Sequence, residues 1–309
     1  MDISALQYIQ FYPTFECNLS CKFCFNRGIL SKEKVSINSF RKIVSIMTDI
    51  GIREIDILGG EPTLHPEFDR LIEIIYNSKL PTNISTNGTN IKLLESLAKN
   101  FDCALINIGI SINSDIESDE LSEYIIKYKP VIKSVCRKKR TIPEALKKYL
   151  SFPDIKYYLI YMDTLYKDDL KETKPFYTFL RELEEIKNGY GNIEGIYCSG
   201  FISDTHENPL LQHVRCPAGT TKLSFMPDGS VYPCYLLFRS EKFKLGNILK
   251  DSLSNIWNNP ILNYFRGFEK NRCLKKDCEL FSLCHGGCPA ISFIFYDDLD
   301  APDPRCIKN

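Results

Sequence analysis

The sequence predicts an α/β chain: a parallel sheet of about six βα units followed by a cysteine-rich C-terminal third. Three observations carry this. Strand-like and helix-like segments alternate along the N-terminal two-thirds. The helical segments each carry an apolar face of 3.6-residue period. Of the 13 cysteines, seven lie beyond residue 215. Six units fall short of the eight that close a barrel.

Residues 6–15 (LQYIQFYPTF) are rich in aromatic and β-branched residues and read as the first strand. Residues 37–50 place Ile37, Phe40, Ile43, Val44, Met47 and Ile50 on one helical face. Ile52–Leu58 is a short apolar strand ending in Gly59-Gly60. Residues 67–79 form a second amphipathic helix through Phe68, Leu71, Ile72 and Ile75. Thr82–Thr86 is a strand closed by Asn87-Gly88, a turn signal. Helix 90–99, strand 104–112 and helices 117–128 and 142–150 follow, then strand 156–162, helix 176–188 and strand 192–197. Arg137–Arg140 (RKKR) reads as a solvated helix start, with a docking patch for an acidic peptide as the sharper alternative. A boundary at 205/206 separates a core, 1–205, from the cysteine-rich segment, 206–309.

Thirty-nine basic residues cancel thirty-nine acidic ones, so no global positive field attracts nucleic acid or a membrane surface. Forty-four per cent apolar residues support a sizeable core. The first fifteen residues contain Asp2 and no Lys or Arg, unlike a secretory signal, and no long apolar run suggests a span. A cytoplasmic location is therefore expected, where 13 cysteines, an odd number, read as metal-binding or catalytic thiols rather than disulfides.

Cys17, Cys21 and Cys24 form CxxxCxxC directly after the first strand. Three thiolates on one loop can hold three irons of a cubane cluster, which leaves the fourth open to a small molecule. A zinc site normally supplies four ligands, in pairs. Phe23 stands just before the third cysteine, where a ring can pack beside an adenine. The next strand ends in Gly59-Gly60-Glu61-Pro62, glycines that let a ligand approach the backbone and a carboxylate able to accept from an ammonium.

CxxxCxxC followed by GGEP resembles the radical S-adenosylmethionine (SAM) superfamily over roughly residues 8–200. The resemblance implies a partial (β/α)6 TIM-like barrel. It implies that Cys17, Cys21 and Cys24 bind a 4Fe–4S cluster whose unique iron chelates SAM, with Gly59, Gly60 and Glu61 at the SAM amino group. Thr86-Asn87-Gly88 matches a turn the family carries after GGEP. Ser111 matches the first residue of a Ser-Ile-Asp-Gly strand end near the ribose, whereas Asn113-Ser114 departs from it. Lys133 and Arg137 are candidates for the SAM carboxylate.

Farther on, KLSFMPDGSVYPC between Cys216 and Cys234 reads as a hairpin around Pro227-Asp228-Gly229. Cys273, Cys278, Cys284, Cys288 and Cys306 follow. Buried or zinc-bound cysteine is the plain alternative, but seven thiols fit one four-cysteine zinc site poorly. The pattern is similar to the SPASM extension of radical SAM enzymes, except that four residues, not two, separate Cys273 from Cys278. By that resemblance Cys216, Cys234 and Cys288 hold auxiliary cluster I, and Cys273, Cys278, Cys284 and Cys306 hold cluster II. That makes three 4Fe–4S clusters. Cys198 and His213 are the candidates for a fourth ligand to cluster I.

The resemblance further implies reductive cleavage of SAM, hydrogen abstraction by a 5′-deoxyadenosyl radical, and oxidation or cross-linking of a peptide or protein, as in maturases of ribosomally made peptides. An electron donor of flavodoxin or ferredoxin type is implied. Tyr235 replaces the aspartate that sulfatase-maturing relatives use as proton acceptor, and is the candidate catalytic residue as base or radical relay. With Cys17 so near the start, no leader-recognition domain is expected ahead of it, so a separate recognition protein is one expectation. A small-molecule or cofactor-biosynthesis oxidoreductase and a zinc-binding interaction module are the alternatives.

Overall fold

The structure is a computed structural model that describes all residues except 30, 198–208, 212–213, 268–271, 274–276 and 307–309. The expected 205/206 boundary, Cys198 and His213 lie outside the described residues. Seven parallel strands follow one another in chain order: β1 (Tyr8–Phe11), β2 (Glu54–Ile57), β3 (Thr82–Thr86), β4 (Ile106–Ser111), β5 (Val131–Cys136), β6 (Tyr157–Tyr161) and β7 (Ile193–Ile196). They form the partial TIM-like barrel expected from the sequence, with helices outside. Helix α1 (Ile37–Asp49) starts where the Ser36 hydroxyl caps the Ser39 amide, and buries Ile37, Phe40, Ile43, Val44 and Met47 against the sheet. Helix α2 (Phe68–Asn77) buries Phe68, Leu71, Ile72 and Ile75, and α3 (Ile91–Asn100) is capped by Asn90. Helix α4 (Asp119–Tyr128) is capped by Ser118 and carries Asp119 and Glu120 in its first turn, where the helix dipole favours acids.

The cysteine-rich segment is joined to this sheet. Its hairpin, β8 (Lys222–Phe225) and β9 (Ser230–Tyr232), turns at Gly229 with φ +82°. Strand β8 pairs parallel with β1, and β10 (Gly246–Asn247) completes the order β10-β9-β8-β1-β2-β3-β4-β5-β6-β7. One apolar core runs through both parts, from Ile9 and Phe11 to Leu223, Phe225 and Trp257. Among the described residues no helix is long and apolar enough to cross a membrane.

Three local expectations are corrected. Arg137–Arg140 is not a helix start: the Arg137 amide donates to the Arg140 carbonyl at 3.0 Å, closing a tight turn. Arg140 reaches the Asn113 carbonyl at 2.8 Å and pairs with Asp115, which holds the turn against the end of β4. Segment 142–150 is a run of 3₁₀ turns over Glu144–Ser151. Strand β5 escaped the apolar pattern because Lys133, at its centre, faces a barrel interior that is polar.

Candidate active site

The loop carrying Cys17, Cys21 and Cys24 leaves β1 and is held from four sides. The Glu61 amide donates to the Glu16 carbonyl at 2.7 Å, and the Gly60 amide to the Thr14 carbonyl at 3.1 Å. This contact is why glycines stand there: a Cβ on Gly60 would lie 2.3 Å from the Glu16 oxygen, and one on Gly59 2.5 Å from that of Thr14. The two glycines thus bring backbone against backbone within the protein while also lining the cavity. Asn26 donates to the Gly59 carbonyl at 2.7 Å. Asn87 donates to Asn18 at 2.8 Å, tying the loop to the Thr86-Asn87-Gly88 turn. From the C-terminal segment, Arg239 donates to the carbonyls of Phe25 and Arg27, each at 2.7 Å. One guanidinium nitrogen of Arg27 in turn donates to both carboxylate oxygens of Asp169, at 2.7 and 2.9 Å.

Within the loop, amides of Leu19 and Asn26 donate to the sulfurs of Cys17 and Cys24 at 3.4 and 3.3 Å, contacts that suit thiolate ligands. Burial first, and then the neighbouring thiols Cys24 and Cys17, push the Cys21 thiol up; a cluster's positive charge is what would reverse this.

Glu61 is buried and acts as a staple. Its carboxylate accepts from the Thr63 amide at 3.2 Å, the Thr63 hydroxyl at 2.6 Å, the Thr86 hydroxyl at 2.7 Å and the Asn87 amide at 2.6 Å. These bonds lock the end of β2 to the end of β3. Glu61→Ala leaves those buried donors unmatched and is expected to cost about 3 kcal/mol, with weaker SAM binding as the two loops lose register. Thermal melting and equilibrium SAM binding read this out; a wild-type melting curve would show that the carboxylate is no staple.

These loops line a cavity of about 870 Å³. Phe23 lies in its wall with the Arg137 guanidinium 5.6 Å over its ring. Ser111 lines it from the end of β4, and the departing residue Asn113 accepts from the Val135 amide at 2.8 Å, fixing β4 to β5. Lys133 donates to Ser85 at 2.8 Å; burial lowers its pKa while Asp56 and Glu54 oppose the shift. Tyr235 enters from the C-terminal segment, packs edge-on to Phe25 at 4.8 Å and donates to the carboxylate of Asp163. Asp163 was missed in the sequence. Its signal is a carboxylate two residues past a parallel strand, where ligand-facing groups gather.

The C-terminal cysteines fall into two neighbourhoods. Cys216, Cys234 and Cys288 are buried, and Cys288 is pushed well up by burial, with Cys234 and Cys216 among the groups adding to it. Cys284 is pushed up to about 11 by burial, with Cys306, Cys273 and Cys278 contributing. Among the described residues no three His, Cys, Asp or Glu side chains converge on a single-ion site. Buried Arg215 organises this region through the carbonyls of Gly286 and Gly287 at 2.8 and 3.1 Å.

A family model described as the radical SAM superfamily matches residues 11–174. The chain belongs to the radical SAM superfamily. A second model, SPASM, described as an iron–sulfur cluster-binding domain, matches residues 216–289. The two domains imply iron–sulfur clusters and SAM as cofactors. The radical SAM chain is 23% identical to the PqqA peptide cyclase of Rhizobium meliloti (strain 1021), over 96% of this chain and 85% of that protein. It is 24% identical to the antilisterial bacteriocin subtilosin biosynthesis protein AlbA of Bacillus subtilis (strain 168), over 90% of this chain and 66% of AlbA. Streptococcus suis SuiB bound to S-adenosylmethionine shares its fold, with a TM-score of 0.76, 22% identity, and coverage of 98% of this chain and 77% of SuiB.

Proposed function

We propose that this radical SAM/SPASM protein matures a peptide or protein by removing hydrogen from one of its carbons, leaving an oxidised or cross-linked product. One observation carries the reading: a single cavity is lined both by the Cys17–Cys24 loop with its Gly59-Gly60-Glu61 neighbour and by Tyr235 of the SPASM segment. Its volume is in the range that encloses a cofactor-sized ligand with some room beside it. The names of PqqA peptide cyclase and of the bacteriocin biosynthesis protein support a peptide as the substrate.

Cys17, Cys21 and Cys24 hold one 4Fe–4S cluster; Cys216, Cys234 and Cys288 hold a second; Cys273, Cys278, Cys284 and Cys306 hold a third. When bound, the first cluster and SAM supply a 5′-deoxyadenosyl radical, chemistry beyond any side chain. Gly59, Gly60 and Glu61 shape the seat of the SAM amino group, Phe23 flanks the adenine and Ser111 the ribose. Tyr235 meets the substrate and takes its proton while passing its own to the Asp163 carboxylate, and the auxiliary clusters would take up the remaining electron. A flavodoxin or ferredoxin in the cytoplasm is the electron donor, and a separate protein presents the substrate's leader.

Co-expression with the neighbouring open reading frames, followed by mass spectrometry, tests this. A peptide lighter by two hydrogens is expected. Unmodified peptides together with a transformed small molecule would replace the maturase reading with a small-molecule oxidoreductase.

A further inference from the structure

Lys222 opens β8, and register sets it beside Tyr8 at the start of β1. Its side chain shares the inward face with Ser224, whose hydroxyl donates to Gln10 at 3.0 Å. The cysteine loop follows the other end of β1, after Phe11. Three residue steps at roughly 3.3 Å each put Lys222 about 10 Å deeper in the barrel. The residue is 7% exposed and lines the cavity.

Other charged side chains that line this cavity away from solvent have protein partners. Glu61 has its donors, Asp56 accepts from Tyr8, Lys133 donates to Ser85, Glu117 pairs with Lys148, and Asp163 accepts from Tyr235. Lys222 differs: among the described residues its ammonium has no hydrogen-bond acceptor and no carboxylate within 4.0 Å. An ammonium recessed in the cavity wall with its donors unclaimed by the protein is placed to bind an anionic ligand.

We propose that Lys222 is the anion anchor of the substrate subsite on the barrel floor, taking the carboxylate of the residue that enters the cavity. This rests on the maturase reading above. The carboxylate comes from an acidic side chain or from a peptide C-terminus, and the ammonium donates to it. The SAM seat is at the opposite end of the strands, so the subsite is separate from it.

The test uses the cluster-reconstituted, SAM-loaded protein and anaerobic calorimetry with N-acetyl-glutamate α-amide, N-acetyl-glutamine α-amide and N-acetyl-alanine. A carboxylate probe is expected to bind at least about tenfold tighter than the glutamine amide, the strength of a charge-assisted contact. Preference for the glutamate probe identifies the side chain; preference for N-acetyl-alanine identifies the C-terminus. Lys222→Met should erase the preference and Lys222→Arg retain most of it. Iron content and melting temperature check the fold, and Lys222→Gln replaces the Met variant if that one fails to fold. Equal binding of acid and amide, no binding of any probe, or a preference surviving loss of the ammonium would each overturn the subsite. A modified peptide without acid preference sinks only the subsite, whereas acid preference without any modified peptide sinks only the maturase reading.

Discussion

Replacing Cys17, Cys21 and Cys24 together by Ala is expected to abolish 5′-deoxyadenosine formation and to remove about one third of the bound iron. The three cubane clusters proposed above would give about 12 iron and about 12 sulfide per chain after anaerobic reconstitution, of which the triple variant should keep about 8 iron. The loop has reasons to keep its place without its thiols. Asn26 and Asn18 tie it to Gly59 and Thr89, and Arg239 grips its carbonyls, none of them through sulfur. Loss of SAM cleavage in a variant that still melts like the parent would therefore report ligands, not folding. Iron and sulfide analysis beside chromatography of the nucleoside reads both outcomes. Tightly bound zinc with negligible sulfide in the parent, or full iron in the variant, would remove the basis for the first cluster.

Much of this architecture was legible because its signals are local. The faces of α1 and α2 follow directly from Ile37, Phe40, Val44 and from Phe68, Leu71, Ile75, residues that only a helix can bring to one side. The hairpin of β8 and β9 follows from Pro227-Asp228-Gly229, whose glycine adopts the positive φ that the turn requires. What stayed hidden is non-local. Strand β5 could not announce itself, because its Lys133 faces Ser85 of β3, 48 residues earlier in the chain. The bonds that Thr86 and Asn87 donate to the Glu61 carboxylate are a contact between two loops, which spacing does not reveal. Asp163 and Arg239 were invisible for the same reason: each matters only because another part of the chain folds against it. The pairing of β8 with β1 likewise joins residues more than two hundred positions apart.

Arg305, half of a buried ion pair within the cysteine-rich segment, also locks that segment to the barrel, and breaking the pair at Arg305 is expected to give the largest loss of stability from a single substitution. Asp303 and Arg305 both have fully buried side chains. The Arg305 guanidinium meets the Asp303 carboxylate at 3.0 and 2.7 Å, donates to the Met162 carbonyl at 3.2 Å and lies 5.1 Å over the Tyr161 ring at the end of β6. Asp303 in turn accepts at 2.8 Å from the backbone amide of Cys288, itself a proposed cluster I ligand. Gly287 permits this approach, since a Cβ there would lie 2.2 Å from the Asp303 Cβ. Arg305→Met strands a carboxylate away from water and should cost about 3–5 kcal/mol, because the remaining charge keeps its desolvation penalty and loses its compensation. Thermal melting should then drop on the order of 10 °C. Asp303→Leu alone takes away the guanidinium's two-bond partner but leaves Asp163 at 3.6 Å, so it should cost less than Arg305→Met. The double variant removes both charges and should recover part of the loss, so the two single effects will not add. Single variants that melt like the parent would show that the pair is solvated in solution. A double variant that loses as much as the two singles added together would show that Asp303 matters chiefly for the Cys288 amide and the loop it holds, rather than for its partner's charge.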